Sequence, residues 1–147
     1  PLSGGSLRHP HFQIVGLDNY DVYQNVDISN FTGVEVIHDE RCEITLSTQP
    51  IIGFVEINIA IEEVGHINDL ADAVQVIVKY LLNDYMGGRL SSYNLFFYEM
   101  ADKFYCKIVP RYATSPYFVG YKIAQVQNEG RLEKIAADIS ERLSANQ

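Results

Sequence analysis

Apolar and polar residues alternate through much of the segment from Gly33 to Ile61. An alternation of this kind is typical of β-strands that have one face in a core. Asp39-Glu40 and the stretch with Pro50 and Gly53 interrupt it, so we expect three antiparallel strands. The predicted strands are Val34–Ile37, Cys42–Leu46 and Phe54–Ile61.

The period then changes to 3.6 residues, which predicts an amphipathic helix. Asn68 is the expected N-cap, Asp69 lies in the first turn, and Gly87-Gly88 is the expected end. The residues on the apolar face are Leu70, Val74, Ile77, Val78, Leu81 and Tyr85.

Two further β segments, 92–98 and 104–109, are predicted to form a hairpin through residues 101–103. A second amphipathic helix is predicted over 129–144, and a short strand over 9–17. Residues 18–32 have no clear period and are predicted to connect the elements, with some local helix. The order of elements indicates an α+β fold, a mostly antiparallel sheet with helices packed on it. The apolar face of the tail helix is formed by Leu132, Ile135, Ala136, Ile139 and Leu143.

Length and composition indicate one domain, because 147 residues with 47% hydrophobic side chains can bury a core of their own. A net charge of −8 disfavours binding to long nucleic acid. The chain has neither a long apolar run nor a signal-peptide pattern, so we expect a cytoplasmic protein that does not enter the membrane. Cys42 and Cys106 lack a metal-knuckle spacing and are expected to be buried, reduced thiols.

The opening residues, PLSGGSLRHPHFQI, carry the candidate chemistry. In an extended strand His9, His11 and Gln13 share one face. The glycine-rich loop before them can turn backbone N–H groups and hydroxyls toward an anion, and Arg8 can add a fork of donors. The segment therefore predicts a phosphate cradle beside a nucleophilic nitrogen. Its loop residues are Ser3, Gly4, Gly5 and Ser6.

The spacing of the two histidines alone leaves three interpretations open. They form half of a metal site, they are solvated residues at the rim of the sheet, or they are catalytic. A neutral imidazole can attack phosphorus and be displaced again, which is the property that the catalytic interpretation requires.

The sequence SGGSLRHPHFQI resembles the active-site segment of the galactose-1-phosphate uridylyltransferase branch of the histidine-triad superfamily. The resemblance implies that His11 is the nucleophile that takes up a nucleoside monophosphate and that Gln13 bonds the phosphoryl group. It implies that Ser6 contacts a phosphate and that His9 supports the site, ligating structural zinc in some members. It also implies transfer rather than hydrolysis, because histidine-triad hydrolases have a histidine at the position of Gln13.

A second stretch, YNLFFYE with CKIVPRYATSPYFVGYKIAQV, resembles the C-terminal portion of uncharacterised bacterial proteins similar to that enzyme. The resemblance implies a partial histidine-triad-like fold, with an active-site loop and strand at 1–17, a second half at 33–126 and the tail helix at 129–144. Because the chain begins at Pro1 with the glycine-rich motif, we expect it to be the C-terminal part of a longer protein. His38 and His66, on a turn and just ahead of a helix, are expected to be solvated.

Alternation along the strands also predicts a weaker polar patch on one wet face of the sheet, where a sugar phosphate would bind. The alternative is an ordinary solvated face with a cross-strand ion pair. The residues of this patch are Glu56, Asn58, Asn94, Lys107 and Arg111.

These observations favour a nucleotidyltransferase that acts on a nucleotide sugar or a dinucleotide through a covalent nucleotidyl-histidine. We expect the chemistry to need no metal, a structural zinc to belong to the full-length protein, and the ligand to be a nucleotide or sugar phosphate. The competing hypothesis is a non-catalytic module that binds nucleotides or builds a homodimer.

Overall fold

The structure is a computed structural model that describes residues 14–51, 55–111 and 116–122. Its main feature is a five-stranded sheet of order β1-β2-β3-β5-β4, in which every neighbouring pair is antiparallel. The predicted α+β class with an antiparallel sheet is confirmed. The strands are β1 (Gly33–His38), β2 (Glu43–Ser47), β3 (Ile57–Ile61), β4 (Tyr93–Met100) and β5 (Lys103–Pro110); the helices are α1 (Ile67–Asn83) and α2 (Pro116–Tyr121).

Two tight connections set the register of the outer strands. Between β1 and β2, the Asp39 carboxylate accepts the backbone N–H groups of Arg41 at 2.8 Å and Cys42 at 2.9 Å, which closes the turn. These hydrogen bonds lower the pKa of Asp39. Between β4 and β5, Ala101 and Asp102 have φ of 49° and 59°, and two left-handed residues in succession match the twist of a two-residue hairpin.

Helix α1 covers one face of the sheet with the face that its 3.6-residue period predicts. Leu70 and Leu81 are buried, and Val74, Ile77 and Tyr85 pack against the same cluster. The start differs from the prediction. His66 is the N-cap and makes no capping hydrogen bond through its side chain, so Asn68 lies inside the first turn.

The end of α1 also differs from the prediction. The helix ends at Asn83, and a 3₁₀ turn over Tyr85–Gly87 follows. Gly88 closes that turn at φ 70°, a left-handed conformation that glycine adopts without steric cost.

The opposite face of the sheet is covered by irregular chain and by short helices. A 3₁₀ turn at Ile28–Phe31 is capped by Asp27 and places Phe31 over the sheet. Helix α2 lies over β4, where the Tyr98 hydroxyl donates to the Gly120 carbonyl at 2.7 Å. A Cβ atom at position 120 would lie 2.3 Å from the Phe96 ring, so the close approach of α2 to β4 requires glycine at this position.

The predicted strand over 9–17 is wrong in its described part. Residues 14–17 have no regular structure, and the Ile14 side chain is 98% exposed. Nothing pairs with this segment among the described strands, so its apolar residues do not reach a sheet. The third strand is also shorter than predicted and begins at Ile57. The predicted tail helix at 129–144 lies outside the described residues.

Among the described residues, no helix combines the length and the apolar character needed to cross a membrane.

Candidate functional site

The residues of the predicted phosphate cradle lie outside the described part of the chain. The assignments of nucleophile, phosphoryl contact and zinc ligand therefore stay predictions. The residues concerned are Gly4, Gly5, Ser6, Arg8, His9, His11 and Gln13.

A row of polar side chains crosses the sheet on the face opposite α1. Thr45, Asn58 and Lys107 are directly paired across β2, β3 and β5. Directly paired residues of antiparallel strands point to the same face, so the register that brings the strands together also brings these side chains together.

Lys107 is the centre of this row, which we call the Lys107 network. Its Nζ donates to Oε2 of Glu56 at 2.8 Å, to the carbonyl of Asn30 at 2.7 Å and to Oγ of Ser47 at 3.1 Å. The same nitrogen lies 4.5 Å from the centre of the Phe31 ring. An ammonium group has three N–H donors, and all three are used.

The amide of Asn58 extends the network to the 3₁₀ turn. Its Nδ2 lies 3.1 Å from the Phe31 carbonyl, 3.1 Å from Oγ1 of Thr45 and 3.0 Å from Oγ of Ser47. The Thr45 hydroxyl donates to the same Phe31 carbonyl at 2.8 Å. The network therefore ties the end of the 3₁₀ turn to the middle of the sheet.

Burial governs the electrostatics of this cluster. Removal of water from around Lys107 lowers its pKa, and the Glu56 carboxylate opposes that shift. Both side chains are fully buried. Removal of one partner from a buried pair strongly destabilises the folded state, because the other charge then lies in the interior with less compensation.

The prediction of a wet sheet face is therefore wrong. Glu56 and Asn58 are each 1% exposed and Lys107 is 0% exposed. The predicted cross-strand ion pair exists, but it lies in the interior and not at the surface. Lys107 presents no surface to a phosphate, because the 3₁₀ turn covers it.

The other two residues of the predicted patch lie near the end of the same face. Asn94 is paired with Val109, and its Nδ2 is buried without a hydrogen-bond partner among the described residues. The backbone N–H of Arg111 donates to the Ser92 carbonyl at 3.0 Å. Both side chains are half-buried. Their roles as ligands of a substrate stay predictions.

A polar depression of about 410 Å³ lies beside the β1–β2 turn. Two of its carboxylates share one lysine: Lys103 lies 3.1 Å from Glu43 and 3.4 Å from Glu62. The hydrogen bond from Glu43 raises the pKa of Lys103. The lining holds four carboxylates against Lys103 and Arg41, so the depression is net acidic and does not favour an anion.

An apolar depression of about 400 Å³, which we call the α1–β4 groove, lies between the start of α1 and strand β4. Val64 and Ile67 form one wall and Phe97 the other, and all three are at least half exposed. Phe104 lines the groove between these walls, and Glu99 lies at its rim. The groove offers apolar contacts and few polar groups.

The two described histidines lie on different elements of the fold. His38 is the last residue of β1 and is exposed, whereas His66 is half-buried at the N-cap of α1. The prediction that His38 lies in a turn is therefore wrong, because it is the last residue of β1, but the predicted exposure of its side chain is confirmed. The described ranges contain no cluster of three or more metal-ligating side chains.

Both cysteines are free thiols, as predicted. Cys106 is fully buried, and burial raises its pKa to about 12. Cys42 is only half-buried, and burial raises its pKa as well. Neither thiol is poised for nucleophilic chemistry, which needs a lowered pKa.

Comparisons with known proteins identify the family. A family model described as the C-terminal domain of DUF4931, a domain of unknown function, matches residues 23–143. The chain belongs to the DUF4931 family. A crystal structure of a DUF4931 family protein from Bacillus cereus ATCC 10987 is 48% identical and superposes with a TM-score of 0.71.

That alignment covers 92% of this chain but 62% of the B. cereus chain, so this sequence spans less than two thirds of that DUF4931 protein. The search of curated proteins gave no match. Neither description assigns an activity, and the resemblance to the histidine-triad superfamily stays a prediction.

Proposed function

We propose that this DUF4931 protein is a nucleotidyltransferase that uses His11 as a covalent nucleophile. One observation carries the proposal: the segment SGGSLRHPHFQI combines a glycine-serine loop, a basic residue and two histidines in an order that resembles the active-site segment of the galactose-1-phosphate uridylyltransferase branch.

In the first step, a ring nitrogen of His11 attacks the α-phosphorus of a nucleotide sugar or dinucleotide. A nitrogen–phosphorus bond forms, and the bond from that phosphorus to the bridging oxygen breaks. The oxygen leaves with the electron pair, as a sugar phosphate or a nucleotide. In the second step, a phosphate oxygen of the acceptor attacks the same phosphorus and the nitrogen–phosphorus bond breaks.

Donors around the phosphorus would stabilise the negative charge that accumulates in each step. Backbone N–H groups of residues 4–6 and the guanidinium of Arg8 are the candidates in this sequence. The side-chain amide of Gln13 offers a donor to a phosphoryl oxygen.

The described domain supports a scaffold role beside this segment. In the Lys107 network the buried ammonium group of Lys107 uses its donors on groups of the protein, so it does not offer them to a ligand. Residues 14–17 are irregular and lead directly from the histidine segment toward the 3₁₀ turn that the network fixes.

The test is the detection of the intermediate on the full-length protein. The protein is incubated with a UDP-sugar or a diadenosine polyphosphate that carries radiolabel in the α-phosphate, then treated with acid or alkali. A phosphoramidate is lost in acid and survives alkali, so a label with this stability is expected on the wild type and absent from His11→Ala.

His38→Ala is the matched control, because His38 is an exposed histidine at the end of β1. It is expected to label like the wild type. Labelling that persists in His11→Ala, or no label on the full-length wild type with either substrate, contradicts the proposal.

A second candidate, a homodimerisation module, is favoured by strand β1. All six residues of this edge strand are exposed, and Val34, Val36 and Ile37 are apolar. The strand has neither lysine nor proline, the residues that commonly protect a sheet edge. Two copies related by a two-fold axis would pair β1 with β1 antiparallel.

Light scattering after size-exclusion chromatography separates the two candidates. The module hypothesis expects a dimeric wild type, a monomeric Val36→Lys and an unaffected Val76→Lys, since Val76 is an exposed valine on α1. A wild type that is monomeric at every concentration tested rejects it.

A further inference from the structure

We propose that the α1–β4 groove is the docking site of the chain's own C-terminal segment, residues 129–144, which binds there as an amphipathic helix. The groove holds the most open apolar contacts beside β4: Phe97 is 60% exposed, Val64 63% and Ile67 50%. Exposed apolar groups that border one depression favour a covering element.

The described chain ends beside β4, on the sheet face opposite α1. The ring of Tyr121, in α2, lies 5.5 Å from the ring of Tyr98, and Tyr98 itself lines the groove. Lys122 follows with φ 55°, a left-handed residue that ends the helix and turns the chain. Because β4 is an edge strand, the chain reaches the groove by passing the free edge of β4.

The length of the remaining chain fits this path. Ten residue steps separate Lys122 from Leu132, the first apolar residue of the predicted helix, and such a connection spans at most about 33 Å. The five apolar residues from Leu132 to Leu143 then occupy about 17 Å of helix. The family model extends to residue 143, so this segment is a regular part of the DUF4931 domain.

Charge supports the same occupant. Glu99 is exposed at the rim of the groove. At 100° per residue, Arg131, Asp138 and Arg142 would fall on one flank of the apolar face of the tail helix, so that flank has a net positive charge. A carboxylate at the rim and two guanidinium groups along one flank favour docking in one orientation.

Disulfide trapping tests the proposal in the intact chain. Phe97→Cys is combined with one cysteine at a time on the apolar face of the tail, in a Cys42→Ser/Cys106→Ala background, because Cys106 is paired directly with position 97. Glu141→Cys, on the polar face, is the matched control. At least one apolar-face cysteine is expected to form an intramolecular disulfide about tenfold faster than the control, because only docked residues bring Cβ atoms within bonding distance. The tail positions tested are Leu132, Ile135, Ala136, Ile139 and Leu143.

Two results would overturn the proposal. In the first, no apolar-face cysteine reacts faster than the control. In the second, the disulfide joins two chains, which would assign the groove to a second copy of the protein.

Hydrogen exchange provides a measurement without new cysteines. Phe97→Glu is expected to raise the exchange rate of amides in residues 129–144 by about tenfold, because the docked helix would face a charge. Val36→Glu changes a similarly exposed residue on β1, at the other edge of the sheet, and is expected to leave the tail unaffected. Equal exchange in the two variants contradicts docking at this groove.

Discussion

The Nζ of Lys107 and Oε2 of Glu56 lie 2.8 Å apart, and neither side chain reaches solvent. The lysine also donates to the carbonyl of Asn30, which comes from the covering turn rather than from the sheet. The hydrogen bond from this buried lysine therefore joins the sheet to the covering turn on the side away from α1.

Lys107→Met is expected to destabilise the domain by about 3–5 kcal/mol, because it removes the cation that lies 2.8 Å from the buried Glu56 carboxylate. The double variant Lys107→Met/Glu56→Leu is expected to recover most of the loss, since an apolar pair of similar volume removes both charges. Urea unfolding followed by circular dichroism measures both. Lys79→Met, at an exposed helix position, is the control, and an equal loss in the double and single variants contradicts the pairing argument.

Stability is expected to fall above about pH 9–10 because burial raises the pKa of Cys106 and of Tyr98. An acidic group whose pKa is raised in the folded state stabilises the fold fully at pH values below its pKa in the unfolded chain. This contribution is lost as the pH rises toward its pKa in the folded state. Lys107 acts in the opposite direction. Burial lowers its pKa, so the free-energy cost of keeping this lysine protonated in the interior decreases as the pH rises.

Tyr98→Phe isolates one of these contributions. The variant loses the hydrogen bond to Gly120, about 1 kcal/mol at neutral pH, but its stability is expected to decline less between about pH 9 and 11. The difference between the variant and the wild type cancels the contribution of Lys107. Chemical denaturation at several pH values measures it, and parallel pH profiles would contradict a raised pKa of Tyr98 in the folded state.

The two thiols are expected to differ in reactivity under native conditions. Cys42 is partly accessible and is expected to react slowly with an aromatic disulfide reagent, whereas Cys106 reacts only after denaturation. Mass spectrometry of the labelled peptides assigns each reaction. Modification of Cys106 in the native protein at neutral pH would contradict its position in the core.

Gly120→Ala is expected to destabilise the domain by about 1–3 kcal/mol, because the new Cβ would overlap the Phe96 ring. Gly65→Ala is the matched control, since a Cβ at that position has no atom within 4 Å. Thermal unfolding of the two variants compares them. Similar melting temperatures would show that α2 moves away from the sheet without cost.

The strands and the helix could be predicted because their periods are local. Alternation marks β2 and β3, and the 3.6-residue period identifies the buried side of α1 through Leu70 and Leu81. The strand predicted through Ile14 was wrong because an apolar run needs a partner strand, and the sequence does not state whether one is present.

The Lys107 network could be predicted only in part. Alternation places Glu56, Asn58 and Lys107 on one face, and the structure confirms that grouping. Alternation alone does not reveal whether that face is exposed to water. The cover comes from Asn30 and Phe31, in a connection without a clear period, so the signal for burial was absent.

The hydrogen bond from Lys107 to Asn30 spans 77 positions of the chain. During synthesis on a ribosome, the turn that carries Asn30 therefore emerges long before the strand that anchors it. Loop closure over such a distance is slow. Thr45 and Asn58 can hold the turn once β2 and β3 have emerged, and the charged donor from Lys107 is added only when β5 has left the exit tunnel.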